Sequence, residues 1–283
     1  MFYEERMKFC FHALFVVFLV GFSACAKDVV TGKSTLNYYS LEGEPKLGTE
    51  VLRSQIQALR KEERGKEEKV DSKKNQAELQ RIRRIVKDLA KVSHVPNFPY
   101  EVHLADVPVV NAWCAPGGKM MVYEGLWDKE KGLVEKGNED QLAAVLGHEM
   151  AHATARHVTE SISRNMTVLV AANVAYGAIA QGSAEGADLF GQVFSEGFNI
   201  FVPSYSRKNE AEADKIGLFY MARAGYDPRA AVALWEKAAK THKQPHSVYD
   251  SHPSNGERAA ALKKYLPEAL EIYQKTKTRK EKS

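Results

Sequence analysis

Hydrophobic positions fall into several distinct rhythms along the chain. Arg6 and Lys8 precede an apolar run, Phe9 to Ala24, broken only by His12 and closing on small residues. That layout belongs to an export signal. A polar connector follows, with Thr31-Gly32-Lys33-Ser34 as a turn. From about Ser40 to Val92 the pattern is helical, with Leu79, Ile82, Ile85, Val86 and Leu89 recurring on one face. Lys61 to Lys74 is too charged for a core and reads as a solvated helix face or loop. The rhythm changes after Asn97-Phe98-Pro99: Tyr100 to Ala105 alternates as a half-buried strand does. Two further extended runs, Val109 to Ala115 and Lys119 to Tyr123, flank Pro116-Gly117-Gly118, a hairpin or tight-corner signature.

The second half returns to helices. Asn138 is a candidate N-cap with Glu139 and Asp140 in the first turn, ahead of Leu142, Val145, Leu146 and Met150. Met166 to Ala180 is an apolar run too short to span a bilayer and is expected to be a buried helix. Glu210 to Ala224 reads as a helix closed by Gly225, and Asp227-Pro228 opens another running to about Thr241. A last helix is expected over about Gly256 to Thr276. The resulting division is a signal over 1–24, a connector over 25–37, one domain over 38–275 and a basic tail over 276–283.

Composition changes this picture little. With 44% hydrophobic and 27% charged residues among 283, the chain has the balance of a folded protein. A net charge of +4 gives no reason to expect a nucleic-acid partner, and oligomeric state is open. The cysteines say more. Phe22-Ser23-Ala24-Cys25 resembles a lipobox, which would make Cys25 a lipidated N-terminus and the mature chain a periplasmic protein tethered to the membrane. Ala26 in place of an Asp favours the outer membrane. Ala24-Cys25-Ala26 also fits ordinary secretory cleavage, giving a soluble periplasmic protein. Cys114, inside an apolar stretch, is expected to be a buried small hydrophobe.

The chemistry is carried by His148-Glu149-Met150-Ala151-His152. Residues four apart lie about 40° apart around a helix, so both imidazoles project from one face and can bind one cation. Glu149 is turned about 100° away, beside the metal, where it can take a proton from water. A catalytic zinc needs a third protein ligand, and Glu210 is the best candidate. Asp214 lies four residues on, where it can accept a hydrogen bond from a ligand imidazole. Glu212, about 200° from Glu210, is expected to point elsewhere. His157, about 180° from His148 on a continuous helix, is not a ligand and reads as a helix-end or packing histidine. Tyr205, Arg207, His252 and Arg258 are candidates for stabilising transition-state charge.

Four ordered motifs carry a family resemblance. They are Asn111-Ala112 with Ala115-Pro116-Gly117-Gly118; Leu146-Gly147-His148-Glu149-Met150-Ala151-His152 with Arg156-His157; Ser206-Arg207 with Glu210, Glu212-Ala213-Asp214; and Ala224-Gly225-Tyr226-Asp227-Pro228. Over about Thr31 to Leu270 the chain resembles the CAAX-prenyl-protease-like zinc metallopeptidases, peptidase family M48, most closely their soluble periplasmic and lipoprotein branch, which is also similar to the mitochondrial Oma-type protease. The resemblance implies a zincin-like α+β domain, mainly helical, with a small sheet beside the active-site helix. It implies one Zn2+ held by His148, His152 and Glu210, with Glu149 as general base. It further implies a substrate-aligning strand supplied by Ala115 to Tyr123, with Ala115, Gly117, Gly118 and Met120. His252 in Ser251-His252-Pro253, with Arg258 beyond it, can by the same resemblance act as a latch on the open zinc position. The implied function is hydrolysis of misfolded or damaged envelope proteins. The alternative is a chaperone-like envelope binding protein with a structural zinc and little or no peptidase activity.

Overall fold

The computed structural model describes residues 25–61, 69–179, 205–240 and 255–282. The export-signal run and the Ser251-His252-Pro253 loop lie outside the described residues.

The connector is more ordered than its polar composition suggests. Strands β1 (Cys25–Lys27) and β2 (Ser34–Leu36) pair antiparallel around the turn at Gly32, whose φ of 67° suits glycine. Beyond β2, Asn37, Tyr38 and Tyr39 reach the helix that follows the metal-binding motif: the Asn37 amide donates to Thr159 Oγ1 at 2.8 Å and the Tyr38 backbone N–H to Ser163 Oγ at 2.9 Å.

Helices α1 (Glu44–Lys61) and α2 (Gln76–Val92) fill the region read as helical, and 62–68 lie outside the described residues. The predicted stripe of α2 is its buried face: Leu79, Ile82, Ile85 and Leu89 are at most 1% exposed. Each such side chain stabilises by about 1.5–3 kcal/mol relative to exposure.

Strands β3 (Glu101–Ala105), β4 (Ala112–Ala115) and β5 (Lys119–Tyr123) form a sheet in the order β3-β5-β4. β5 runs parallel to β3 and antiparallel to β4. Pro116–Gly118 makes the tight corner between β4 and β5, with Gly117 at φ 68°. That corner must be glycine for a second reason, since a Cβ on Gly117 would stand 2.3 Å from Pro45 Cα at the start of α1.

The period-two alternation divides the core. Val102, Leu104, Ala112, Cys114, Met120 and Val122 face the larger helical core, while Ala105, Trp113, Ala115 and Met121 face α1 together with Val158 and Tyr205. Cys114 is buried as expected.

Helix α3 (Glu139–Thr154) carries the metal-binding motif and starts where the sequence placed it, with the Asn138 side chain accepting from the Gln141 N–H. Helix α4 (His157–Ile179) contains the second apolar run as far as Ile179. Of the expectation that this run is buried, the described side chains give a mixed outcome: Met166 and Thr167 are half-buried and Val168 is 62% exposed. No helix among the described residues is long and apolar enough to cross a membrane.

Helix α5 (Arg207–Ala224) begins three residues before the predicted Glu210, because the Ser206 hydroxyl caps it by accepting from the Asn209 N–H. α6 (Arg229–Lys240) follows Asp227-Pro228, and α7 (Asn255–Glu281) packs across α5 and α6. α7 continues through most of the predicted basic tail, and its Lys280 ammonium donates to the Ala224 carbonyl at 2.8 Å, satisfying the C-terminal end of α5.

Candidate metal centre

The site is made where α3 crosses α5. Gly147 and Gly217 face one another at this crossing, and a Cβ on Gly217 would lie 2.8 Å from His148 N and 2.9 Å from Gly147 C. Without side chains between them, the two backbones come close enough for Glu210, two turns before Gly217, to reach the motif histidines. His152 Nε2 lies 3.3 Å from Glu210 Oε1, His148 Nε2 lies 3.6 Å from Glu210 Oε2, and the two Nε2 atoms are 3.1 Å apart. All three residues are at most 2% exposed.

Asp214 takes the predicted supporting place. His148 Nδ1–H donates to its Oδ1 at 2.9 Å, which leaves the His148 Nε2 lone pair directed at the cluster. Arg258 holds Asp214 in turn, donating from Nε at 2.7 Å and from Nη2 at 2.6 Å, while its Nη1 lies 3.1 Å from Glu210 Oε2. The guanidinium is sandwiched in position by the Trp235 ring, 3.4 Å below it. Arg258, one of the candidate stabilisers, is therefore occupied by contacts to Asp214 and Glu210.

The electrostatics match ligand chemistry. Burial pushes His148 down to about 4, the Arg258 cation acting the same way against the pull of Asp214 and Glu210. Burial also pushes His152 well below its ordinary value. Both imidazoles are neutral at physiological pH, the form that binds metal. Burial pushes Asp214 upward, yet Arg258 and His148 together hold it well below the usual carboxylate range.

Donor atoms of His148, His152 and Glu210 all lie within 4.8 Å of one another. Two neutral imidazoles and one carboxylate, converging with more acceptors than donors, fit a divalent cation of the zinc type.

Glu149 is 2% exposed, and its charge acts on the Cys114 thiol of β4 and on the Tyr205 phenol. Tyr205 stacks on His152 with ring centroids 3.7 Å apart, and burial, followed by the charges of Glu149 and Glu210, raises its pKa well above the ordinary value. Its hydroxyl stays a proton donor. Arg207 is not brought in: it is exposed on the first turn of α5. Met120 lies on β5, which is paired on both sides, and Gly117 and Gly118 lie in the corner, so a peptide cannot pair along β5. Among the described residues the unpaired sheet edge beside α3 is the outer edge of β4, to which Ala115 belongs.

His157 stands where a continuous helix would not have put it. The chain does not continue as one helix past Thr154: Arg156 adopts φ 60°, and α4 starts anew at His157. The wheel angle from His148 therefore does not apply. The turn brings His157 Nδ1 to 3.0 Å from His152 Nδ1, and His157 Nε2 to 3.3 Å from Glu212 Oε2. The turn itself is held by a buried ion pair, Arg156 Nε to Glu44 Oε1 at 2.7 Å, with Thr159 Oγ1 donating to the same oxygen at 2.8 Å.

Comparisons with known proteins agree with this geometry. The model of peptidase family M48 matches residues 76–266. The mitochondrial metalloendopeptidase OMA1 of Schizosaccharomyces pombe is 38% identical over 193 residues, covering 66% of this chain and 53% of the relative. The metalloprotease LoiP of Escherichia coli is 30% identical over 166 residues, 58% of this chain and 61% of the relative. The β-barrel assembly-enhancing protease of the same organism is 30% identical over 179 residues, 60% of this chain and 35% of the relative. The chain thus spans between about a third and three fifths of the length of these relatives. With a family match over more than half of its 283 residues, centred on the helices that build the site, the chain belongs to peptidase family M48.

Proposed function

We propose that the protein is a zinc-dependent metalloendopeptidase in which His148, His152 and Glu210 hold the ion and Glu149 is the general base. One observation carries this reading: three buried ligand groups from two separate helices converge within 4.8 Å, with a further buried carboxylate next to one of them in sequence. A purely structural zinc is closed by four protein ligands and has no use for that carboxylate.

Bound there, zinc would supply Lewis acidity toward the scissile carbonyl and the attacking water. Glu149 removes the proton from that water and delivers it to the leaving amine. The Tyr205 hydroxyl, kept protonated by burial, donates to the carbonyl oxygen as it gains charge. The substrate backbone would pair along β4, Ala112–Ala115, as an added strand, once the outer edge of these four buried residues is uncovered.

The substrates we propose are unfolded segments of misfolded or damaged envelope proteins, a reading supported by the name of one bacterial relative, a β-barrel assembly-enhancing protease, and by an export-signal pattern ending in Phe22-Ser23-Ala24-Cys25. Lipidation of Cys25 would tether the protein to the periplasmic face of a membrane.

Wild type and Glu149→Gln, each assayed for zinc content and for cleavage of unfolded casein, test the proposal. Stoichiometric zinc in both with cleavage by the wild type alone is the expected result. Equal cleavage by both would remove Glu149 from the base role, and a wild type that takes up no zinc would sink the reading as a whole.

A further inference from the structure

We infer that His157, backed by Glu212, is a positioning residue that fixes the tautomer and ring orientation of the ligand His152. This rests on the zinc reading above. For His152 to offer Nε2 to a cation it must be neutral and carry its proton on Nδ1. The partner of that Nδ1 is His157 Nδ1, at 3.0 Å. Two ring nitrogens share one proton in such a contact, so His157 Nδ1 must accept. His157 then carries its own proton on Nε2, where Glu212 Oε2 accepts it at 3.3 Å. As a carboxylate, Glu212 has no proton to give and can only accept, its other oxygen facing the Lys33 ammonium. Every proton in the chain from His152 through His157 to Glu212 is thereby assigned, with a single direction.

The arrangement parallels the other ligand and differs from it. His148 donates directly to Asp214, while His152 donates to a carboxylate through an intervening imidazole. His157 is 2% exposed, so no bulk water competes for the His152 proton. The outer end of the chain reaches the N-terminal hairpin, where Lys33 Nζ lies 3.0 Å from Glu212 Oε1; with the lysine side chain 54% exposed, that last link contributes little by itself. The Arg156 turn is what makes the contact, since a straight helix would carry His157 to the far side of α3.

The test is zinc affinity, measured on apo-protein by competition with a chromophoric chelator. His157→Leu should weaken zinc binding by about 10–100-fold, the usual cost of removing a partner behind a ligand histidine. His157→Asn places a carbonyl oxygen close to the former Nδ1 and should restore affinity to within about threefold of wild type, whereas a residue that merely fills space would not be rescued this way. Glu212→Ala, at the partly exposed end, should weaken binding by an intermediate factor and serves if His157→Leu does not fold. Affinity within about twofold of wild type in His157→Leu, or in Glu212→Ala where the first is unfolded, overturns the inference. Equal losses in the Leu and Asn variants overturn it as well. A wild type with no stoichiometric zinc is a failure of the metallopeptidase reading instead, and the two failures are distinct.

Discussion

The crossing of α3 and α5 offers a prediction in which stability and function separate. Replacing Gly217 by Ala adds a Cβ that would meet His148 N at 2.8 Å, Gly147 C at 2.9 Å and Gly147 O at 3.0 Å. Carbon prefers about 3.5–4.0 Å from such atoms, so the helices must part by roughly 0.7 Å or more. Overpacking of this kind costs about 1–3 kcal/mol, and the better helix propensity of Ala returns about 1 kcal/mol. The net loss is about 0–2 kcal/mol, or a Tm lower by up to about 8 °C at about 2–4 °C per kcal/mol. Gly147→Ala is the internal control. Its Cβ meets Gly217 O at 3.1 Å and nothing else below 3.5 Å, so a shift of a few tenths of an ångström suffices and propensity roughly cancels the strain. The proposed zinc site is less tolerant than the fold, because metal–ligand distances hold to about ±0.2 Å. Gly217→Ala should therefore lower zinc affinity by more than its loss of Tm suggests, as read by chelator competition beside thermal unfolding of the apo-protein. A Gly217→Ala protein at least as stable as Gly147→Ala, with undiminished zinc affinity, would refute the claim that this close approach delivers Glu210 to the histidines.

Two further perturbations probe the frame around the site. His103 on β3 lies between Asp71 at 2.7 Å and Glu101 at 3.1 Å, and the Asp71 hydrogen bond raises its pKa despite burial. A histidine whose folded pKa is raised contributes stability below its unfolded value, about 6.5, and loses that contribution as pH rises through the folded value. His103→Gln should thus lower Tm at pH 5.5 and make little difference at pH 9; a larger effect at pH 9 would contradict the sign. Arg156→Met should destabilise by about 3–5 kcal/mol by leaving the Glu44 carboxylate buried without its guanidinium. The Arg156→Met/Glu44→Gln double variant should recover more than half of that in denaturant unfolding, and simple additivity of the two losses would show that the pair does not act as a unit.

The sequence was most legible where local rules act alone. Asn138 as a cap, the apolar stripe of α2, Gly225 closing α5 and the four-residue spacing of His148 and His152 are each set within a few neighbours, and each stands in the structure as read. Helical spacing alone showed that His148 and His152 share one face and that Glu210 and Asp214 share another, while the meeting of the two faces was an expectation from the family resemblance that the convergence of His148, His152 and Glu210 matches. What could not be read depends on contacts between distant segments. Nothing in Ala155-Arg156-His157 announces a left-handed residue, because the conformation of Arg156 is maintained by Glu44, far away in sequence. The central place of β5, which makes β4 an outer strand, is a matter of sheet order rather than of alternation. Ser206 did carry a signal, being a capping type three residues ahead of Asn209, and would have extended α5 to its true start.

These long-range contacts share a direction. Glu44 at the start of α1 holds the Arg156 turn; Pro45 of the same helix sits against Gly117, in the corner that follows β4; and the Arg156 turn sets His157 behind His152. The first turn of α1 therefore touches both the proposed substrate edge and the support of one ligand, although it contributes no group to the chemistry. Disturbing it should affect metal affinity and peptide alignment together, whereas disturbing Arg258 on the opposite side, which holds Asp214 and Glu210, should act on the metal alone. The two flanks of the site are thus built separately, one from the N-terminal segment and one from α7, and the motif helix between them is positioned by both.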